Sequence, residues 1–355
     1  MLFLSKAEGR QWAGYARDAL KESPEPGCWD SKVRKNLIPA FHFYIATFLA
    51  AHGKGEEGIE WLERGTLFEE EGLFGCGFLL GFLRRHGGRL AVPLAPFQDP
   101  RQFIHFAGVP MMRAAREQFV TQCGHSLPVF DRPLRFIDIG CGDGALTATL
   151  LNHLVETGKA PGIGEVLLIE PSQAMADLAL KTVRSGVPGA DVVVRNYRIQ
   201  NCSSSIDHPY DVAMSSLAYH HMPLEQKRVH LSRLKPWIDH LVLFEMDAHN
   251  DTPELHTPDL ALSVYQSYSR IIDFIFTHDA PVDLAIDCVD SFMMAEIVSL
   301  LTKPRGERLD YHMLRGQWHA LFREVLGSEF SCRCDSSAYA DEYMTLFTLH
   351  YGRDQ

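Results

Sequence analysis

Three glycines in five residues, Gly140-Cys141-Gly142-Asp143-Gly144, constrain this 355-residue chain more than any other stretch. The run before them, Leu134 to Ile139, is short, apolar and rich in branched residues, as a strand buried on both faces requires. After them, Ala145 to Leu154 has helical composition and apolar spacing. Strand, glycine turn, helix is the opening of a nucleotide-binding α/β unit. Glycine permits positive φ and carries no side chain, so a ligand can press against the backbone. The helix that follows offers unpaired N–H groups.

The spacing of the glycines narrows the ligand. It is neither the GxGxxG of dinucleotide folds nor the GxxxxGK[ST] of a triphosphate cradle. The form Asp138-Ile139-Gly140-Cys141-Gly142-Asp143-Gly144 resembles motif I of class I S-adenosylmethionine (SAM) dependent methyltransferases. SAM has no phosphate; it has an amino-acid tail, a sulfonium cation and an adenosine. An acid at the end of the strand, Asp138, suits a positively charged partner and would be avoided by a phosphate site. The resemblance implies that Gly140, Cys141 and Gly142 line the cofactor.

Later elements fit the same order. Gly164 to Glu170 reads as a second buried strand ending in an acid, one βαβ length downstream. Glu170 can accept both ribose hydroxyls, as an acid does in dinucleotide folds. Pro171 and Ser172 then open a helix, with Ser172 as N-cap. A third strand, Ala190 to Arg195, leads to Asn196 and Tyr197, where an adenine ring is expected. Tyr197 can stack on such a ring and Asn196 can hydrogen-bond its edge; an ordinary polar loop is the alternative. A fourth strand, Tyr210 to Ser216, runs into Ser215-Ser216-Leu217-Ala218-Tyr219-His220-His221, and a fifth ends at Glu245 to Asp247. Open α/β sheets bind ligands beyond the carboxyl ends of their strands. Asp138, Glu170, Asn196, Ser215, His221 and Glu245 are therefore expected to converge.

Composition excludes several classes. A net charge of −11 without a dense basic tract argues against nucleic acid as a partner. The apolar runs 41–51 and 73–83 are too short to span a bilayer, so no membrane role is expected. Eight scattered cysteines form no paired framework, and Cys332-Arg333-Cys334 lacks a second pair for zinc. A reducing cytoplasm is the expected setting.

The fold class that follows is α/β: a Rossmann-like, seven-stranded methyltransferase core with a helical N-terminal domain and a helical insert. Residues 1–125 read as helical, a region that can cap a site, shape a pocket or form a homodimer. Residues 126–250 are the expected cofactor-binding core, 251–310 a helical cap, and 311–355 the closing helix and strands. The linker-like stretch 87–100 separates the early helices from those leading into the core.

Methyl transfer asks the protein for positioning, and for a base where the acceptor carries a proton. His220 and His221 follow the fourth strand, and adjacent loop residues point apart, so one of them is expected to face the substrate. His221 is the expected base and Glu245 its partner or a substrate contact. The sequence around Glu245, Asp247 and His249 matches no metal motif, and no metal is expected.

Residues 243 to 330 resemble the C-terminal half of the GRAS family, plant regulators with bacterial members that keep a methyltransferase-like pocket. The likeness rests on Glu245, His249-Asn250, Tyr268, Asp273, Glu296-Ile297, Arg308, His312 and Trp318. It implies a small-molecule substrate near His220, His249, Asn250 and Tyr268. The expected function is SAM-dependent methylation of O or N on a small polar metabolite or natural-product intermediate. The alternative is a non-catalytic GRAS-like ligand-binding or interaction protein; the intact glycine motif favours catalysis.

Overall fold

A computed structural model of the chain describes residues 2–93, 99–202, 206 and 208–354; part of the expected 87–100 linker lies outside them. Fourteen α-helices appear among the described residues: α1 (Lys6–Glu22), α2 (Ile38–Ala51), α3 (Gly55–Thr66), α4 (Cys76–Arg85), α5 (Pro100–Gly108), α6 (Pro110–Ser126), α7 (Ala145–Glu156), α8 (Gln173–Gly186), α9 (Ile199–Cys202), α10 (Leu224–Leu234), α11 (Pro258–Thr277), α12 (Val282–Cys288), α13 (Met294–Thr302) and α14 (Arg315–Leu326). Seven strands accompany them: β1 (Leu134–Ile139), β2 (Ile163–Ile169), β3 (Asp191–Arg195), β4 (Tyr210–Ser216), β5 (Ile238–Met246), β6 (Phe330–Ala340) and β7 (Thr345–Arg353).

These elements form two compact units. One comprises 1–96, 248–310 and 342–344; the other comprises 97–247, 311–341 and 345–355. The division departs from the boundaries read in the sequence. The N-terminal helices and the 251–310 insert belong to a single unit, and α5 and α6 belong with the sheet.

The sheet unit has strand order β3-β2-β1-β4-β5-β7-β6. β1 to β5 are parallel, β7 runs antiparallel to β5, and β6 closes the edge antiparallel to β7. β1 is central because its side chains can be buried on both faces: Phe136, Ile137 and Ile139 are all sealed from solvent. Burying each contributes about 1.5–3 kcal/mol. Register aligns Asp138 with Leu168 on one side and Met214 on the other, so the strands finish together along one edge of the sheet.

The helical unit surrounds α2, which is apolar on all sides and buried almost throughout. Phe41 and Tyr44 pack against Trp12, with ring centroids 5.1 and 6.1 Å away. Phe43 meets Tyr265 of α11 at 5.4 Å. Phe41, Phe43 and Tyr44 are therefore core, and Phe48 is half-buried beside His52.

Several helices are shorter than their sequence pattern. The stretch 31–52 becomes helical only from Ile38, where Pro39 stands in the first turn and lacks the N–H an earlier start would need. The stretch 69–86 is helical only from Cys76. Glu69 stays outside, and its carboxylate accepts the N–H groups of Gly75, Cys76 and Gly77 at 2.7–3.0 Å. Pro110 separates α5 from α6. Among the described residues no helix is long and apolar enough to cross a membrane.

Candidate active site

The glycine turn leaves β1 with φ +77° at Gly140, +56° at Gly142 and +74° at Gly144. The N–H groups of Gly140 and Cys141 donate to the Ile169 carbonyl at 2.9 and 3.1 Å, tying the turn to β2. Gly140 has no room for a side chain, since a Cβ there would stand 2.3 Å from that of Ala218. Gly142 faces the Phe103 ring of α5, which a Cβ would meet at 2.8 Å.

Glu170, just past β2, folds back on this turn. Its carboxylate accepts Gly142 N–H at 3.1 Å and Ser172 N–H at 2.9 Å. Burial pushes its pKa up against those two bonds and the nearby His221. Asp138 is buried at the end of β1, and the Thr147 hydroxyl of α7 donates to its Oδ2. Burial raises its pKa to about 7, and Oδ1 has no hydrogen-bond partner.

Arg116 of α6 completes this end, and the sequence pattern carried no signal for it. Its Nε is sealed from solvent without a hydrogen-bond partner, and the guanidinium lies 5.8 Å from the Phe103 ring centroid. Burial lowers its proton affinity while Asp143 and Asp138 raise it. A half-buried cation beside the turn, without an ion pair among the described residues, suits an anionic ligand group.

The expected adenine contacts divide. Tyr197 is exposed beyond β3, available as a stacking face. Asn196 instead donates its amide to the carbonyls of Glu170 and Pro171, both at 3.0 Å. It thereby braces the backbone after β2, while its Oδ1 remains an acceptor beside Pro171.

β4 and β5 supply the groups for chemistry. Ser215 is buried with its hydroxyl unpartnered. Leu217 then takes φ +49°, an uncommon conformation for a branched residue, with its N–H on the Phe244 carbonyl at 2.8 Å. This bend seats His220 in a 3-10 turn, Tyr219–His221. His220 Nδ1 lies 3.0 Å from Glu245 Oε2, and its N–H donates to Oε1 at 3.3 Å. The sequence reading made Glu245 a partner of His221 or a substrate contact; the structure hydrogen-bonds it to His220, whose ring lies 4.2 Å from that of His221 and 59° from parallel. His221 is half-buried, and its charge acts on both Glu170 and Glu245.

Two more buried residues join this pair. His312 Nδ1 stands 3.9 Å from Glu245 Oε2, and its ring stacks on His220 at 4.1 Å and 25°. Lys227 of α10 is fully buried and donates to the Tyr311 carbonyl at 2.5 Å, while Tyr311 N–H donates to the His220 carbonyl at 2.6 Å. Burial pushes the Glu245 pKa up, offset chiefly by His312 and Lys227. Burial also holds His312 well below the ordinary histidine value. His220, Glu245 and His312 bring ligand-type atoms within 4.8 Å of one another. A metal ion must lie in the plane of each imidazole that binds it, however, and near-parallel rings do not point at a common centre. The nearby ammonium is a further charge against an ion. The arrangement fits a shared proton better.

The remaining expected substrate residues belong to the helical unit. His249 N–H donates to the Ser263 hydroxyl at 3.0 Å, and that hydroxyl donates to Asn250 Oδ1 at 2.7 Å. Asn250 is fully buried, and Arg308 donates to its carbonyl at 3.0 Å. Tyr268, also buried, donates to Glu296 at 2.7 Å. Asn250 is thus held in the packing after β5, while its buried Nδ2 has no hydrogen-bond partner.

Comparison with known proteins bears on the sheet unit and on the fold. Residues 136–238 match the family profile described as a methyltransferase domain. That stretch runs from β1 to the start of β5. Over most of the chain the fold is also that of SCL7 from Oryza sativa, at 14% identity and TM-score 0.57, covering 98% of this chain and 100% of that one. Magnesium protoporphyrin IX methyltransferase (ChlM) from Synechocystis PCC 6803, solved with bound SAH, aligns at 15% identity and TM-score 0.42 over 71% of this chain and 93% of its own. The cyclopropane synthase MmaA2 from Mycobacterium tuberculosis aligns at 12% identity and TM-score 0.44 over 72% and 95%. No curated protein matches the sequence.

Proposed function

We propose that this protein transfers the methyl group of SAM to an oxygen or nitrogen of a small polar molecule. The residues at the β1 and β2 ends fit the cofactor. Asp138 and Arg116 keep buried polar atoms without partners, and the turn at 140–144 excludes side chains. Arg116 would hold the carboxylate of the methionine tail, Asp138 its ammonium, Glu170 the ribose hydroxyls and Tyr197 the adenine face. SAM, when bound, supplies an electrophilic methyl group on a sulfonium.

The observation that carries an enzymatic reading is the buried His220–Glu245 pair at the ends of β4 and β5. A carboxylate accepting from Nδ1 fixes the imidazole tautomer and leaves Nε2 to accept a proton. His220 therefore takes the place of His221 as base, and His221 is assigned to the rim beside Glu170. Excluding water and orienting the acceptor supply the rest.

A second reading is a non-catalytic GRAS-like ligand-binding protein, favoured by the likeness to SCL7, a GRAS protein, along nearly the whole chain. Isothermal titration with SAM and with S-adenosylhomocysteine, followed by radiolabelled SAM with a panel of small hydroxyl and amine acceptors, separates the two. Binding with label transfer supports the enzyme. Binding without transfer to any acceptor supports the second reading, and no binding of either removes the enzyme.

A further inference from the structure

We infer that His312 is a positioning residue, a neutral ring that seats His220 against Glu245 and so sets where His220 holds its proton. This rests on the base role proposed for His220, and it is tested without any acceptor.

The argument starts from the chain path. His312 precedes α14 and has no part in the glycine motif, yet it reaches the buried carboxylate at the end of β5. It stacks on His220 with centroids 4.1 Å apart and planes 25° from parallel. Offset stacking of this kind fixes the plane of a ring. Glu245 Oε2 lies at the edge of both rings, 3.0 Å from His220 Nδ1 and 3.9 Å from His312 Nδ1. Only the first of these is a hydrogen bond.

Two imidazolium ions cannot occupy this stack, for like charges at such separation in a buried site repel strongly. Within the sheet unit the charges facing the pair are Glu245 on β5, His221 on the same turn and Lys227 on α10. Burial and the neighbouring cations, opposed by Glu245, hold His312 well below the ordinary histidine value, so the proton belongs on His220. The proton of an acceptor then passes to His220: the acceptor–hydrogen bond breaks, its electron pair stays on the acceptor atom, and Nε2–H forms. The resulting imidazolium has the Glu245 carboxylate at one edge and an aromatic face beneath it, both of which favour charge.

What matters in His312 is thus its ring and not its basicity. The test is a long-range proton–nitrogen NMR titration of histidine-labelled full-length protein, reading the His220 pKa. Expected is a fall of roughly one pH unit in H312A, a near-normal value in H312F, which keeps a stacking ring, and a fall in E245Q. An amide fingerprint of the H312F variant controls for folding. The inference is overturned if H312A leaves the His220 pKa unmoved, if H312F falls as far as H312A, or if E245Q has no effect. SAM titration on the same variants reads the cofactor site separately, so a failure here is distinguishable from a failure of the methyltransferase reading.

Discussion

The two ends of the sheet's crevice are built by different means. At the β1–β2 end the ligand surface is mostly backbone: a glycine turn, N–H groups and one carboxylate folded onto them. At the β4–β5 end it is side chains from three separated segments, His220, Glu245 and His312, locked by a buried lysine. The first kind of site is written in consecutive residues. The second exists only after the chain has folded.

That contrast can be broken by experiment. The largest expected effect is His220→Ala, which should lower the transfer rate by about two to four decades while leaving SAM affinity near normal. Steady-state kinetics with titration calorimetry would check it, and a retained rate would return the base role to His221. Next, Glu170→Ala should weaken SAM binding about 10- to 100-fold through two lost charge-assisted hydrogen bonds. Arg116→Leu should follow at about tenfold, with adenosine, which lacks the carboxylate, binding as before. An equal loss for adenosine would mean that Arg116 supports the fold instead.

A further effect concerns stability and the two buried histidines His230 and His350. Burial lowers them from 6.5 to about 4 and about 3. Both stay neutral in the folded chain at pH values where the unfolded chain binds protons. Their contribution is complete above about pH 6.5 and is lost as pH falls toward the folded values. At pH 5 each should cost about 2 kcal/mol. Thermal unfolding from pH 7 to 5 should show a falling midpoint, and His350→Asn should flatten that slope. His350 also lies 3.0 Å from His240 and 2.9 Å from the Ser126 hydroxyl, an uncharged chain that acid would disrupt.

Most of the fold was legible in the sequence because its signals are local. β1, the turn, α7, β2 and Glu170 follow from apolar runs, glycines and strand-end acids, and all five parallel strands fall within a residue or two of their expected bounds except at the start of β5. Where the pattern misled, long-range bonding won. Glu69 looks helical but caps α4 from outside, and Asn196 also braces the Pro171 carbonyl, which no local pattern shows. The choice between His220 and His221 could not be read at all, because it depends on Leu217 adopting a positive φ. Lys227 and Arg116 carried no signal either. On an amphipathic helix a basic residue reads as solvated surface, and only the packed fold shows Lys227 buried and Arg116 Nε sealed from solvent.

The hydrogen bond from Arg315 N–H to Asp247 Oδ1, 2.9 Å long, pins the place where the chain quits the sheet unit to the place where it comes back. From the strands' side the intervening helices are therefore a loop closed at its neck. Insertions or deletions among those helices can therefore change the length of the loop while β5 and α14 keep their anchorage.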